Sequence, residues 1–182
     1  MIKIVLSGSN DKIINKLLNF ANNELRQELA TDESDYNIAV VPDPKQNIMQ
    51  IAPPPVTESD LYSLEKEIIN IQLASEKDVV NLLELKKYNP NNTIIIFGRG
   101  IMDGVKEVEK ETLAEILKDL NISEKDILDR YDIVFHFASK DNEIDEKIED
   151  AWTGCSGYTK IYTKSYKKLT NYFEDKIKSL LT

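Results

Sequence analysis

Runs of apolar residues without polar alternation recur along the chain and predict five strands. The clearest is residues 93–97, Thr-Ile-Ile-Ile-Phe. An uninterrupted run of β-branched and aromatic residues is typical of a strand buried on both faces of a parallel sheet. Comparable runs lie at residues 2–6, 38–41 and 133–138, and a weaker one at 159–163. We therefore predict that residues 93–97 form the central strand.

Between these runs, apolar residues return at intervals of three and four, which predicts helices. The helical segments predicted in this way are residues 13–25, 57–89, 112–120 and 166–181. We also predict a short helix over residues 123–130 and a brief one in the charged residues 140–150. Helix-start patterns support four of them: Asp11 as an N-cap, Thr57 with Asp60, Thr112 with Glu115, and residues 123–126.

Three further stretches predict connections. Residues 31–35 have the composition of an acidic linker, and residues 45–56, with three prolines, that of an irregular surface segment or lid. Pro42 and Pro44 enclose Asp43 and predict a rigid, non-helical loop that presents this carboxylate.

The regular alternation of strand and helix predicts an α/β fold: a three-layer structure in which helices flank a parallel sheet, as one domain over residues 1–182. Open sheets of this kind bind ligands outside the carboxyl ends of their strands. We therefore expect functional side chains in the loops that follow the strands.

Composition narrows the function. The 182 residues include 23 Lys and Arg against 32 Asp and Glu, a formal net charge of −9. This balance argues against general binding of nucleic acid or an anionic membrane, because both need a basic surface. A single cysteine, no secretory signal and no apolar run near the roughly 20 residues that span a bilayer predict a soluble, cytoplasmic protein.

The loop after the central strand carries the main candidate chemistry. Arg99 and Asp103 lie in this glycine-rich loop, and Asp43 follows the neighbouring strand. Two carboxylates could hold Mg²⁺, and an arginine could bind an anion. Alternatively, Arg99 forms a salt bridge with Asp103 and only makes the loop rigid.

A second candidate site follows the first strand. Gly8, Ser9 and Asn10 form a turn before a helix, whose first N–H groups can bind an anion, and Lys12 lies close behind.

Four motifs, in order along the chain, resemble the AAA-type P-loop ATPases related to ribosylnicotinamide kinases and TRPL-translocation-defect proteins. They are Val41-Pro42-Asp43, residues 71–76 with their Gln and Glu, residues 97–104 (FGRGIMDG), and Arg130-Tyr131-Asp132-Ile133. The resemblance implies a P-loop NTPase-like fold that uses ATP and Mg²⁺ to transfer a phosphoryl group. It would make Asp43, Arg99 and Asp103 the catalytic residues, and the residues around Gly8 and Lys12 the phosphate loop.

The departures from that family are informative. A working phosphate loop reads G-x-x-x-x-G-K-[ST], whereas residues 8–13 read Gly-Ser-Asn-Asp-Lys-Ile, without the second glycine or a hydroxyl after the lysine. Asp11 beside Lys12 would repel a phosphate, so a surface lysine at a helix start is the alternative role. Gly98 replaces the family's acid before Arg99, and residues 140–150 contain no arginine. Since phosphoryl transfer depends on positioning and charge neutralisation, these losses predict little catalysis.

Two other residues invite a chemical role. His136 lies in a predicted strand and Cys155 in a glycine-containing turn. We expect a structural histidine, because the chain has no second histidine to complete a metal pair, and an inert thiol.

Three hypotheses follow. The first is a degenerate P-loop domain, a pseudo-kinase that binds a protein partner or an anionic small molecule. The second is an active ATP-dependent kinase with a remodelled phosphate loop. The third is an interaction module whose acidic surface binds a basic protein.

Overall fold

Five strands form one parallel sheet in the order β2-β3-β1-β4-β5, which confirms the predicted fold class. The computed structural model describes residues 1–29, 36–51, 54–162 and 165–181, so the predicted linker 31–35 lies outside it. The strands are β1 (Ile2–Ser7), β2 (Asn37–Val41), β3 (Thr93–Phe97), β4 (Ile133–Ala138) and β5 (Tyr158–Tyr162).

Helices cover both faces of the sheet. They are α1 (Asp11–Phe20), α2 (Arg26–Leu29), α3 (Pro44–Ile51), α4 (Glu58–Leu85), α5 (Lys110–Asp119), α6 (Glu124–Leu128), α7 (Glu143–Ala151) and α8 (Tyr166–Leu180). A π-helical segment, Ala21–Leu25, joins α1 to α2. Short 3₁₀ helices, Pro90–Asn92 and Ile101–Lys106, lie before and after β3.

The apolar residues divide into two buried clusters, one on each face of the sheet. Alternate residues of β3 supply both: Ile94 and Ile96 pack with α1 and α8, whereas Ile95 and Phe97 pack with α4 and α5. Both faces of the central strand are therefore buried, as its unbroken apolar run predicted.

The register of the strands determines which loops lie next to each other at the carboxyl edge of the sheet. Ser7 at the end of β1 is paired with His136 in β4, and Val5 with Phe97 at the end of β3. The loops that follow β1, β3 and β4 therefore emerge side by side.

Two helix starts differ from the prediction. Asn10, not Asp11, is the N-cap of α1, since the Asn10 side chain accepts a hydrogen bond from the Ile13 N–H at 3.2 Å. Helix α5 begins at Lys110, so Thr112 lies inside its first turn and the predicted Thr112–Glu115 capping box is wrong. The capping boxes of α4 and α6 are confirmed, with Thr57 and Ser123 as N-caps.

The segment after β2 also differs. Pro44 begins helix α3, where a non-helical loop and an irregular segment were predicted. Proline is tolerated in the first turn of a helix because the N–H it lacks has no partner there. Within the described residues, no helix has the length and apolarity needed to cross a bilayer.

We predict that Ile95→Ala destabilises the protein by about 2–5 kcal/mol, the usual range for truncating a fully buried isoleucine. Urea unfolding followed by circular dichroism measures the change. Leu85→Ala, which truncates a side chain that is 80% exposed, is the matched control and should change the unfolding midpoint little. Equal effects of the two variants would contradict the described core.

Candidate functional site

The loop after β1 begins with a glycine that the fold requires. Gly8 has φ of 148°, and a Cβ at this position would lie 2.6 Å from the Phe137 carbonyl oxygen of β4. Only glycine allows this close approach of two backbones. The approach brings Ser9 next to the end of β4 and the start of α7.

The carboxylate of Asp145 collects the donors at this junction. It accepts hydrogen bonds from the Ser9 N–H at 2.9 Å, the Ser9 hydroxyl at 2.8 Å and the Ser139 N–H at 2.8 Å. His136 Nε2 lies 2.9 Å from the same carboxylate. We call these four donor groups the Asp145 seat. Asp145 itself is only 1% exposed and belongs to the first turn of α7.

His136 links this seat to β5. A carboxylate can only accept a hydrogen bond, so His136 Nε2 carries a proton, and His136 Nδ1 is hydrogen-bonded to the Tyr158 hydroxyl at 2.5 Å. Burial, together with nearby acidic groups, raises the pKa of Tyr158, which keeps that hydroxyl protonated. His136 is fully buried with both ring nitrogens hydrogen-bonded, as expected for a structural histidine.

Electrostatics favour the ionised form of Asp145. Burial alone would raise the pKa of Asp145, but hydrogen bonds from His136, Ser139 and Ser9 outweigh it and hold that pKa below its ordinary value. The β1–α1 loop therefore donates two hydrogen bonds, both from Ser9, to an ionised carboxylate of α7.

Asp103, one of the predicted catalytic residues, has a full set of structural partners. Its Oδ1 accepts from the Ser7 hydroxyl at 2.5 Å and from Trp152 Nε1 at 2.9 Å, and its Oδ2 accepts from the Gly100 N–H at 2.9 Å. Asp103 thus holds the loop after β3 to β1 and to the end of α7.

Arg99 pairs with Glu65 of α4, not with Asp103 as the alternative prediction had it, and both side chains are 1% exposed. Burial alone would lower the pKa of Arg99, but Glu65, Asp43 and Asp103 outweigh it and raise that pKa. Burial raises the pKa of Glu65 and of Asp43, and Arg99 opposes both shifts. The three predicted catalytic residues are therefore coupled electrostatically within one buried cluster.

This cluster is incompletely satisfied. Arg99 Nε and Nη1, Glu65 Oε2 and Gln72 Oε1 are buried and have no hydrogen-bond partner among the described residues. Gln72 Nε2 donates to the Arg99 carbonyl at 2.6 Å. Glu76 accepts from the Tyr131 hydroxyl at 2.6 Å and from Arg130 Nε at 2.5 Å.

Sequence reasoning missed Glu65 as a partner of Arg99, although a signal was present. Glu65, Gln72 and Glu76 lie at helical spacing on the buried face of α4, beside Ile68 and Ile69. Buried charged residues are almost always paired, so acidic residues within the apolar stripe indicated a cationic partner. It missed Asp145 as well, since Asp145 looked like one acid among many in residues 140–150.

The residues predicted to form the phosphate loop do not converge on one point. Asn10 caps α1, Lys12 is exposed on that helix, and Asp11 forms an ion pair with Lys106 at 2.6 Å. Ser9 belongs to the Asp145 seat, and Gly8 lies next to it in the chain. Among the described residues, no group of three or more His, Cys, Asp or Glu could hold a metal ion.

Two of the residues predicted to serve a magnesium-bound triphosphate have other partners. The Ser9 N–H and hydroxyl are already engaged by Asp145, and Asp103 is engaged by Ser7, Gly100 and Trp152. Where the resembled family has an acid, a Cβ on Gly98 would lie 2.5 Å from Leu18 Cδ1.

Two other features lie outside this site. Burial raises the pKa of the Cys155 thiol, which disfavours a nucleophilic thiolate. A groove of about 540 Å³ runs between the end of β2, α3 and α4, and its lining is mainly apolar, including Val41, Ile48 and Leu82.

The fold has a counterpart among solved structures. It is similar to thymidylate kinase from Ehrlichia chaffeensis, with a TM-score of 0.54, 14% identity and coverage of 100% of this chain and 98% of that one. A de novo designed protein with the P-loop NTPase fold matches at 16% identity over 99% of this chain and 95% of the design. Its TM-score of 0.37 is too low to define a fold. The sequence matches no protein-family model and no curated protein. The chain therefore shares the fold of that thymidylate kinase.

We predict that Asp145→Asn destabilises the protein by about 1–3 kcal/mol at neutral pH, because an amide N–H would then face donors that need an acceptor. Asp145 has a lowered pKa, so its contribution is present above the ordinary carboxyl pKa and is lost as the pH falls through the lowered one. The stability difference between wild type and variant, from urea unfolding, should shrink in acid. Asp150→Asn, on the exposed face of the same helix, is the control. A difference that grows in acid would contradict the assignment.

We also predict that Arg99→Met destabilises the protein by about 3–5 kcal/mol, because it leaves Glu65 buried without a cation. Adding Glu65→Leu should recover much of the loss, since the pair is then replaced by apolar groups. Lys66→Met, which breaks a neighbouring exposed ion pair, should change stability little. Additive losses in the double variant, measured by urea unfolding, would show that the two residues are not coupled.

Proposed function

We propose that this chain is a degenerate P-loop domain, a pseudo-kinase that acts by binding a protein partner or an anionic ligand, with little or no catalysis. It resembles ATPases related to ribosylnicotinamide kinases, but its loop after β1 lacks the second glycine and the hydroxyl residue of the Walker A motif. On the buried single cysteine and the composition, we place it in the cytoplasm.

The observation that carries this proposal is the position of Asp145. In a P-loop fold, the backbone N–H groups after the first strand bind phosphates. Here the Ser9 N–H and hydroxyl of that loop both donate to an internal carboxylate. A nucleotide phosphate at this point would meet a buried negative charge and would have to break these hydrogen bonds.

The other residues of this loop provide few groups that could bind a phosphate in place of Ser9. Lys12 is exposed on α1, and Asp11 beside it is engaged with Lys106, so a phosphate at this loop would have to recruit a surface lysine. Phosphoryl transfer needs a positioned cation, and an arginine at the transferring group alone contributes about 10³–10⁵ in rate. We expect turnover to be correspondingly low.

One observation favours the active-kinase alternative, in which Lys12, Asp43, Arg99 and Asp103 serve ATP and Mg²⁺. Arg99 Nε and Nη1 have no partner among the described residues, so this guanidinium retains donors that could bind an oxyanion. Its three carboxylate neighbours already supply the balancing charge, which disfavours a further anion. We therefore prefer the pseudo-kinase.

Isothermal titration with ATP and Mg²⁺, combined with an assay for ADP release, tests the proposal. We expect neither submillimolar binding nor turnover, because the loop donors are engaged by Asp145. An active P-loop kinase assayed in parallel shows that the conditions support turnover.

Submillimolar affinity together with ADP release would overturn the pseudo-kinase proposal. Lys12→Ala and Arg99→Ala should then abolish that turnover, whereas Lys16→Ala, on the same helix as Lys12, should not. Equal turnover in all three variants would assign the activity to a contaminating enzyme.

A further inference from the structure

We propose that the apolar groove between the end of β2, α3 and α4 binds an amphipathic helix of a partner protein, and that this helix carries a lysine or arginine opposite Asp78. We call this surface the α3–α4 groove. The inference rests on the proposed function in its protein-partner form, and it adds the surface, the kind of partner and the charge of that partner.

One face of α4 is left uncovered at the groove. Ile71, Ser75, Asp78, Leu82 and Leu85 follow one another at intervals of four and three residues, so they lie on one side of the helix. The first four line the groove, and Leu85 continues the stripe beyond it. Leu82 is 51% exposed and Leu85 is 80% exposed. Exposed apolar patches of this kind on a soluble protein mark interaction sites.

Helix α3 lines the other side of the groove. Its residues Ile48 and Ile51 face the same space as the α4 stripe, and Ile51 is 86% exposed. The uncovered stripe spans about four helical turns, or about 21 Å at the rise of an α-helix. An apolar groove between two helices is a surface on which a partner helix places its own apolar face. A partner helix of about four turns therefore matches the uncovered surface.

The open edge of β2 favours a helix over an added strand. β2 lies at the edge of the sheet, where an extended peptide could pair with its main chain. The Ile38 carbonyl of this strand already accepts hydrogen bonds from Arg26 Nε at 2.9 Å and Nη2 at 2.6 Å. Pro42 after the strand has no N–H to donate. Few main-chain groups of this edge therefore remain for another strand.

Charge selects a basic partner. Of the described residues that line the groove, Asp78 alone is charged, and it forms no ion pair with another described residue. Asp78 is also the middle residue of the stripe, so pairing this stripe with that of a second copy, in either direction, would oppose two Asp78 carboxylates. Like charges across an interface are unfavourable, and each copy also carries a formal net charge of −9. A cationic side chain meets neither penalty.

A labelled synthetic helix of leucine, alanine and lysine, with its leucines at helical spacing, tests the groove by fluorescence anisotropy. We expect saturable micromolar binding by the wild type, and binding at least about tenfold weaker by Leu82→Glu, because a charge then lies in the apolar groove. Ile144→Glu makes the same type of change at an exposed residue of α7 and should bind like the wild type.

A charge exchange tests the role of Asp78. Asp78→Lys should weaken binding of the lysine peptide and should bind a peptide with glutamate in place of lysine more tightly than the wild type does. Glu84→Lys changes the net charge equally at an exposed residue of α4 outside the stripe, and it should not exchange this preference. The exchange separates pairing at Asp78 from general attraction of a cation to an acidic protein.

Equal affinity of Leu82→Glu and the wild type, no binding up to about 1 mM peptide, or the same preference in Asp78→Lys and Glu84→Lys would overturn the proposal. Self-association of the wild type that Leu82→Glu abolishes, measured by sedimentation, would assign the groove to a second copy and also overturn it. All substituted residues are exposed, so the variants should keep the wild-type circular dichroism spectrum. Failure here leaves the wild type without ATP turnover, whereas failure of the pseudo-kinase proposal is ATP turnover by the wild type, so the two are distinguishable.

Discussion

The buried carboxylate of Asp145 is the interaction on which the carboxyl edge of the sheet depends. Parallel strands end with main-chain N–H groups that need acceptors, and two such groups, from Ser9 and Ser139, meet between β1 and β4. Burying these donors without an acceptor would cost free energy at each. Asp145 satisfies both, together with the Ser9 hydroxyl and His136, and so joins the loops after β1 and β4 to α7. The same contacts engage the N–H and hydroxyl of Ser9 in the loop after β1.

The second polar cluster, around Arg99, contrasts with the first. The hydrogen bonds that Asp145 accepts lower its pKa. The pKa values of Glu65 and Asp43 are raised, because the effect of burial outweighs the opposing effect of Arg99. Two guanidinium nitrogens remain unpaired among the described residues. A half-satisfied buried network is more sensitive to substitution than either a complete one or an apolar core. The edge of the sheet thus combines a fully hydrogen-bonded junction at α7 with an incompletely hydrogen-bonded one at α4.

Local pattern predicted the fold well and the site only in part. The unbroken apolar run of residues 93–97 and the alternation of elements were sufficient for a parallel sheet, because burial on both faces leaves a direct signature in sequence. Pro44 was misread because proline both breaks helices and begins them, and position decides which. Ser7, Asp103 and Trp152 could not be connected, since their contacts span 49 and 96 residues and no periodicity encodes such pairs. Asp145 could not be singled out from sequence, because only its burial and its hydrogen bonds to Ser9, His136 and Ser139 distinguish it from the acids around it.

A fold does not determine chemistry, because the requirements of folding are separate from those of catalysis. The sheet, its register and the close approach of Gly8 to β4 are needed for folding whether or not a phosphate binds, so they persist. Catalysis needs more, namely free donors, a positioned cation and a metal ligand, each of which costs stability when it is unpaired in the interior. In this chain Ser9 donates to Asp145, and Asp103 accepts from Ser7 and Trp152. Each of these hydrogen bonds satisfies a buried polar group and so stabilises the fold. Under the proposed function, activity is lost without loss of structure, because the hydrogen bonds that stabilise this edge of the sheet are the same ones that engage these groups.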